Sequence, residues 1–531
     1  MERHHYEKPE IIHEKKLPTE ELGRKIEAQK ELAFIGDLLA AFPEGSVYVV
    51  GGTVRDAMMG KLASKDYDLV IAGIPLEKLD EFFAPRGSLE IVGRNFGVLK
   101  FTPHDSELEE AIDIALPRRE TAAGTGGRKD FDTQADHTMS IEDDLSRRDF
   151  TINAMAWDCK QHQVVDPFNG LLDLEEKKIR AVRNPKQRFQ EDYSRMLRGL
   201  RFAVKLGCTI EKNTWEALRE LMPRINDERE VEIKNEAGVV IGKKIERVTP
   251  YETIAKEFIT SLKADPVRTL DFWDEADAIR EILPELLTMK GCEQSRDYHS
   301  EGDVWTHTRL LLAKLMSKEF QDFFNGAKPD GETILATLFH DIAKPKTQER
   351  KTTADGKEKI TFYDHESEGA KMVAAICERL HFSAASKVAI KHENIVWLVN
   401  HHLFPNHPPE HVRKTTLEKM FFNPNVPGEK LLHVAFADAS TSIREDGTVD
   451  LERLRTFREE LATLAKIFST EKKSSLAPPL LNGNEVMKLR AMPAGRAVGT
   501  ILSELREQQL NGAITTRDEA TLFVQKFVMP S

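Results

Sequence analysis

Two aspartates and two glycines near the start of this chain have the types and spacing for chemistry. From Val47 an apolar strand breaks at Gly51-Gly52, a short helix carries Arg55 and Asp56, and a second strand presents Asp66, Tyr67 and Asp68. Successive strand side chains point to opposite faces, so Asp66 and Asp68 project together while Tyr67, Leu69 and Ile71 turn inward. Neighbouring carboxylates suit hard cations, and Mg²⁺ takes one or two of them together with water and substrate phosphates. Glycines without Cβ let backbone amides approach a phosphate, and a helix opening near Thr53 adds its positive end. The order of these pieces describes a metal-dependent nucleotide site. A tight turn followed by the wet face of an edge strand is the other reading.

Two further runs extend that site. Ser146 to Met155 places Arg147, Arg148, Asp149 and Asn153 at the start of an amphipathic helix, with 149 and 153 on one face. A carboxylate and an amide there can hold ribose hydroxyls, and forked arginines meet phosphate oxygens. An N-terminal cap by Asp149 beside solvated arginines is the alternative. Downstream, Glu191-Asp192-Tyr193-Ser194-Arg195 opens a helix that sets Asp192 and Arg195 three apart, with Arg198 one turn later. One acceptor and one donor can mimic the edge of a complementary base, and an i, i+3 ion pair explains the same spacing.

A separate constellation lies between residues 299 and 440: His307, His340-Asp341, His365, His401-His402 and Asp438. These mixed nitrogen and oxygen donors suit Mn, Ni, Fe, Co or Mg, whereas helix packing is the plain alternative.

The elements that must position these residues follow from composition and periodicity. At 531 residues the chain exceeds the size of one growing core, so about two to four domains are expected. With 40% hydrophobic and 31% charged residues it reads as charge-rich and mainly helical. No apolar run reaches the roughly 20 residues of a membrane span, and the polar start is no signal peptide, so a cytoplasmic location is expected. The four cysteines form no paired ligand motif, which argues against disulfides and zinc-cysteine sites. A net charge of −12 opposes attraction of the whole protein to nucleic acid, yet Lys177 to Lys205 carries ten basic residues against two acidic ones. That stretch can face RNA or form a solvated helix face.

Residues 46–175 alternate short β-like runs with turns and helices, giving a small mixed α/β head. Pro117 to Gln134 lacks apolar periodicity and reads as a mobile loop. After the head the strands are expected to stop, leaving an all-helical body and an α+β fold overall. Thr470 to Pro479 separates a final helical unit.

The runs GGTVRDAMMG with DYD, RRDFTINAMA, DPFNGLLDL and EDYSRMLRGLRFA resemble the class II CCA-adding tRNA nucleotidyltransferases and bacterial poly(A) polymerases, which share a polymerase-β-like head. The resemblance implies that Asp66 and Asp68 ligate catalytic Mg²⁺, with Asp113 as a third acidic group. It implies that Gly51, Gly52 and Arg55 hold the triphosphate and that Arg148, Asp149 and Asn153 contact ribose and phosphates. Asp192 with Arg195 then read the base of CTP or ATP, and Arg198 is a further nucleotide-binding residue. Pro117 to Gln134 corresponds to the family's flexible loop, tied to adding the terminal A, and is richer in glycine. The histidine constellation resembles the HD-domain metal phosphohydrolases, implying His307, His340, Asp341 and Asp438 as ligands of a divalent transition metal or Mg²⁺. His365 and His401 are then candidates for a second metal or for phosphate contact.

The expected partners are therefore tRNA, CTP and ATP, with no membrane. The expected organisation is a lead-in at 1–30, the nucleotidyltransferase head at 31–175 and a helical neck that selects the nucleotide and binds RNA at 176–290. An HD domain at 291–469 and a C-terminal helical unit at 470–531 complete it. In that last unit Gly495, before the helix RAVGTILSEL, leaves amides for a tRNA phosphate or simply marks an ordinary helix start. Poly(A) synthesis, or an HD phosphohydrolase with an RNA-binding head, are the competing functions.

Overall fold

A computed structural model describes residues 19–529 apart from 62–66, 93–97, 105, 107, 109, 123, 128–130, 236–238, 296, 298, 353–357, 385–389, 410, 445, 446, 450 and 469–477. The chain divides into two compact units. One runs to Ser261 and includes Phe272–Glu281; the other comprises Leu262–Asp271 and the chain from Ile282 onward.

The head of the first unit is built on β1 (Ser46–Val50), β2 (Asp68–Ala72), β3 (Gly87–Ile91), β4 (Val98–Pro103) and β5 (Ile112–Ala115). A hairpin of β6 (Arg118–Ala122) and β7 (Phe131–Ala135) precedes β8 (Ala156–Asp158) and β9 (Gln163–Val165). Seven strands form one sheet in the order β3-β4-β5-β2-β1-β8-β9. Its central pair β2–β5 is parallel, with Asp68 in register with Asp113. The valines and isoleucines of β1 and β2 suit this position because both faces are covered. Val47, Val49, Leu69 and Ile71 join Phe83 and Phe101 on one face. Val50 and Val70 meet Ile141, Leu145 and Ala154 on the other. Only at its first residue, Asp68, does β2 emerge. The helix Thr19–Glu27 docks on the head where Trp157 donates to Glu27 Oε1 at 2.6 Å.

Two expectations are corrected here. The stretch read as a loop from Pro117 to Gln134 contains the hairpin β6–β7, whose registered pairs run from Arg118↔Ala135 to Ala122↔Phe131. Polar residues on both faces hid its alternation. Nor do strands stop after the head. Short β10 (Lys178–Ile179) and β11 (Thr209–Ile210) pair in parallel, and β12 (Glu228–Lys234) with β13 (Val240–Arg247) forms an antiparallel ribbon. That ribbon lies in the stretch expected to be helical, and its charges pair across the strands, as Lys243 does with Glu230 at 2.6 Å. The second unit adds a small ribbon of β14 (Glu349–Thr352) and β15 (Glu358–Thr361).

Otherwise the body is helical. In the first unit Ser194–Leu206 and Lys212–Leu221 follow the head. In the second, Val304–Leu315, Gly331–Phe339, His365–Arg379, His392–His401 and Gly428–Thr441 pack together. Asp303 and Asp330 cap the first two through the amides of Thr306 and Thr333. The last three helices, Gly483–Arg490, Arg496–Leu510 and Arg517–Lys526, enclose their own core of Val486, Ile501, Leu505 and Val524. Among the described residues no helix is long and apolar enough to cross a membrane.

Candidate functional site

The glycine turn, the end of β2 and the start of helix Ser194–Leu206 open on one cleft of about 770 Å³. Gly51 sits at φ +75°, a conformation L side chains rarely adopt. A Cβ there would lie 3.1 Å from Arg148 Nη1 and 3.4 Å from Asp68 Oδ2, so the turn is held against both. Asp66 lies outside the described residues. Asp113, beside Asp68 in register, accepts from Lys100 Nζ at 2.8 Å.

One hydrogen-bonded chain ties three of the sequence elements together. Arg55 Nη1 donates to Asn153 Oδ1 at 2.7 Å, and Asn153 Nδ2 donates to Asp149 Oδ1 at 3.1 Å. Arg198 Nε closes it by donating to Asp149 Oδ2 at 2.8 Å. Burial pushes the Asp149 carboxyl up, but Arg198 and Asn153 outweigh it and bring it down to about 2. Asp149 thus stays charged and locks Arg198 toward the cleft.

The expectation that RRDFTIN begins an amphipathic helix is corrected. Arg147 ends the helix Ile141–Ser146, and only a 3₁₀ turn, Thr151–Asn153, follows. Thr151 N donates to Arg180 O and Val182 N donates to Asp149 O, so backbone groups that a helix needs are committed to a bridge. Asp149 and Asn153 still meet, by turn geometry. Arg147 and Arg148 are both anchored on buried Asp144. Asp192 Oδ1 accepts from Ser194 N and Oγ at 2.9 and 2.6 Å, while Arg195 Nη1 donates to Glu191 Oε2 at 2.7 Å. Both line the cleft.

Sequence reasoning missed Arg118, Glu120 and Thr133, which the β6–β7 hairpin brings to the cleft, and Phe202. Glu120 accepts from Arg147 Nη1 at 2.7 Å, joining hairpin to site. The hairpin is also fixed near its tip, where Gly126 O accepts from Tyr193 N at 3.0 Å. The basic run from Lys177 to Lys205 is not one face. Arg195, Arg198, Arg201 and Lys205 line the cleft, whereas Arg188 is buried against the carbonyls of Ser146 and Arg147. Eight cationic side chains against four carboxylates line this cavity, a balance suited to a polyanion such as a triphosphate.

The second unit holds the histidine constellation. His307 lies in helix Val304–Leu315, His340-Asp341 at the end of Gly331–Phe339, and Asp438 in Gly428–Thr441. His307 Nε2 is 3.4 Å from Asp438 Oδ1 and 4.0 Å from Asp341 Oδ2, and His340 Nε2 is 3.0 Å from that same oxygen. Glu301, unnoticed in the sequence, sits 2.6 Å from His307 Nδ1. Burial raises the Glu301 carboxyl, yet His299 and His307 pull it down to about 2. Lys344 Nζ contacts Asp341 Oδ2 and Gln294 Oε1, each at 2.7 Å.

His365 reaches Asp341 from the other side, 3.3 Å from Oδ1. His401 does not: its Nδ1 donates to Trp397 O at 2.8 Å and its ring stacks on Trp397. The expectation for His401 is corrected to His402, buried with Nε2 3.9 Å from Asp341 Oδ1. Adjacent helical residues diverge by about 100°, so only one of the pair turns inward. Among the described residues, His307–His340–Asp438, Asp341–His365–His402 and His299–Glu301–His307 are each close enough to hold an ion. A pocket of about 620 Å³ opens over the first two groups and is also lined by Lys344, Arg444 and Arg453.

Comparison with known proteins agrees with this geometry. Residues 47–180 match the poly(A) polymerase head domain and residues 304–423 the HD domain. The multifunctional CCA protein of Teredinibacter turnerae is 30% identical over 337 residues, 63% of this chain and 70% of that protein. The one from Stenotrophomonas maltophilia is 30% identical over 360 residues, 66% and 76% of the two chains. The CCA-adding enzyme of Thermotoga maritima, solved with tRNA, shares the fold with a TM-score of 0.54 at 19% identity, covering 95% of this chain and 97% of that one. Matched in both domains and along most of its relatives' length, this chain belongs to the family of the multifunctional CCA proteins.

Proposed function

We propose that this protein is a template-independent tRNA nucleotidyltransferase that adds or repairs the 3′-terminal CCA using CTP and ATP. The observation that carries the reading is the convergence of Gly51, Asp68, Asp149, Asp192 and Arg195 on one cationic cleft of nucleotide size. Asp66 and Asp68 are the metal-holding carboxylates, with Asp113 in register beside Asp68; oxygen donors at an open strand end fit Mg²⁺. Bound there, Mg²⁺ supplies the positive charge that acidifies the RNA 3′-hydroxyl and neutralises the departing pyrophosphate. Gly51, Gly52, Arg55 and Arg148 cradle the triphosphate, and Asn153 with Asp149 orients the ribose. Asp192 and Arg195 read the base edge, with Arg198 beside them. The relatives' name and the tRNA held by the Thermotoga enzyme support tRNA as the acceptor, which in turn fits a cytoplasmic location. The head at 31–175 and the neck at 176–290 divide this labour between transfer and selection.

The deciding experiment incubates the purified protein with tRNA trimmed of its CCA and with labelled CTP and ATP. Incorporation of two C and one A is expected. ATP incorporation alone, on any RNA, would instead identify a poly(A) polymerase, the activity after which the matched head domain is described.

The HD domain is a second, metal-dependent phosphohydrolase site. His307, His340, Asp341 and Asp438 hold its ion, and buried histidine nitrogens beside carboxylates fit a divalent transition metal. Its substrates are phosphomonoesters or 2′,3′-cyclic phosphates, the groups found on damaged RNA ends. The C-terminal unit, with Gly495 opening the helix Arg496–Leu510, contacts the tRNA backbone.

A further inference from the structure

We propose that Phe202 is a positioning residue for the triphosphate, its ring holding the guanidinium groups of Arg55, Arg198 and Arg201 in the cationic cleft. The inference rests on the reading of that cleft as a nucleoside triphosphate site and adds the group that keeps its cations in place.

Three arginines stand over one aromatic ring. The guanidinium carbons of Arg201, Arg55 and Arg198 lie 4.2, 5.3 and 5.5 Å from the centroid of Phe202, which is itself buried. All four side chains line the cleft. Arg198, Arg201 and Phe202 come from the helix Ser194–Leu206, where residues three and four apart share a face. Arg55 comes from the helix Gly52–Met58 that follows the glycine turn. Phe150 meets the ring of Phe202 edge-on, with 5.9 Å between centroids and 79° between planes, and so fixes the surface on which the arginines rest.

Each guanidinium is also held at its edge by oxygen. Arg55 donates to Asp56 and Asn153, Arg198 donates to Asp149, and Arg201 Nε donates to Glu257 Oε2 at 2.5 Å. Hydrogen bonds along one edge still allow a planar group to hinge about that edge, and a surface against its flat face removes the motion. The negative face of an aromatic ring does this while attracting the cation and taking up none of its N–H groups. A carboxylate in the same place would consume donors and cancel the charge that a triphosphate meets. An aliphatic side chain would fill the space without attracting the cations. Like charges crowded together repel, so a ring that attracts all three without neutralising them suits a cleft built for a polyanion. Donors arranged in advance bind more tightly than donors ordered on contact.

Fluorination withdraws the negative charge from the face of the ring and nearly keeps its shape. Nonsense suppression at position 202 of the full chain places mono-, tri- and pentafluorophenylalanine there, in samples whose circular dichroism matches the parent. On trimmed tRNA the KM for CTP and that for ATP should rise together and stepwise, reaching about tenfold with the pentafluoro ring, while kcat stays within about twofold. The Kd of labelled CTP, from equilibrium dialysis without tRNA, should rise in parallel. Phe202→Leu, apolar but without a π face, should match the pentafluoro ring. KM and Kd flat across the fluorinated series would overturn the inference and leave Phe202 a core residue of a working transferase, even where Phe202→Leu loses activity. A fall in kcat with KM unchanged would overturn it as well. In a parent that uses ATP alone, the same rise in its KM supports the inference and a flat KM overturns it. A parent that binds and incorporates neither nucleotide would overturn both the inference and the reading beneath it.

Discussion

Glu301 Oε1 lies 2.6 Å from His307 Nδ1 and so sets the tautomer of a histidine whose other nitrogen faces Asp438. A carboxylate behind a metal-binding imidazole fixes the ring and raises its basicity. Glu301→Gln should weaken Mn²⁺ or Ni²⁺ binding to the HD domain by about 10- to 100-fold. Competition with a chromogenic chelator measures this, and unchanged affinity would remove Glu301 from the site.

Asp68→Ala should lower incorporation of CTP and ATP by about 10³-fold or more, since the carboxylate at the strand end is asked to hold transition-state charge. Hydrolysis of 2′,3′-cyclic phosphates by the same preparation should persist. Single-turnover incorporation on trimmed tRNA, run beside a phosphatase assay, separates the two.

Gly51 cannot be replaced without strain, because its φ is +75° and a Cβ would crowd Arg148 and Asp68. Gly51→Val should cut kcat/KM for both nucleotides by about 10²-fold, the cost of misplacing reacting groups by an ångström. Its melting temperature should fall by only a few degrees, which differential scanning fluorimetry reads.

Asp192→Ala should relax selection rather than stop transfer. If Asp192 and Arg195 present a base-like edge, its loss costs about 1–3 kcal/mol of discrimination against GTP and UTP. Ratios of kcat/KM across the four nucleotides test this, and an equal fall for all four would assign Asp192 to folding alone.

The pair of Asp149 and Arg198 makes a pH prediction. The Asp149 carboxyl falls from its ordinary 3.8 to about 2 in the folded protein. A depressed folded value means the stabilisation is present above the unfolded value and lost as pH falls through the folded one. Asp149→Asn should therefore cost about 1–3 kcal/mol at neutral pH and progressively less on acidification from about pH 4 toward 2. Urea unfolding of the head, at neutral pH and at about pH 3, checks the sign.

Much of the chemistry was legible before the fold. Glycine pairs and spaced carboxylates are read through local geometry alone, and strand alternation placed Tyr67, Leu69 and Ile71 inside, where all three are buried. Asp149 and Asn153 meet as expected, though through a 3₁₀ turn instead of a helix. The loop that became a hairpin was misread because its polar faces carry no apolar signal.

By itself the sequence determined which donor types exist and in what order: Asp68 after the glycine turn, His340-Asp341 at a helix end, Asp438 far downstream. Only the tertiary structure decided which of them converge. His402 over His401, Glu301 behind His307, and Glu120 reaching Arg147 across 27 residues all depend on how separate elements pack. Spacing along a chain sets the direction of a side chain relative to its own backbone. Its partners are set by packing between elements, and that information is spread over the whole core rather than written beside the residue.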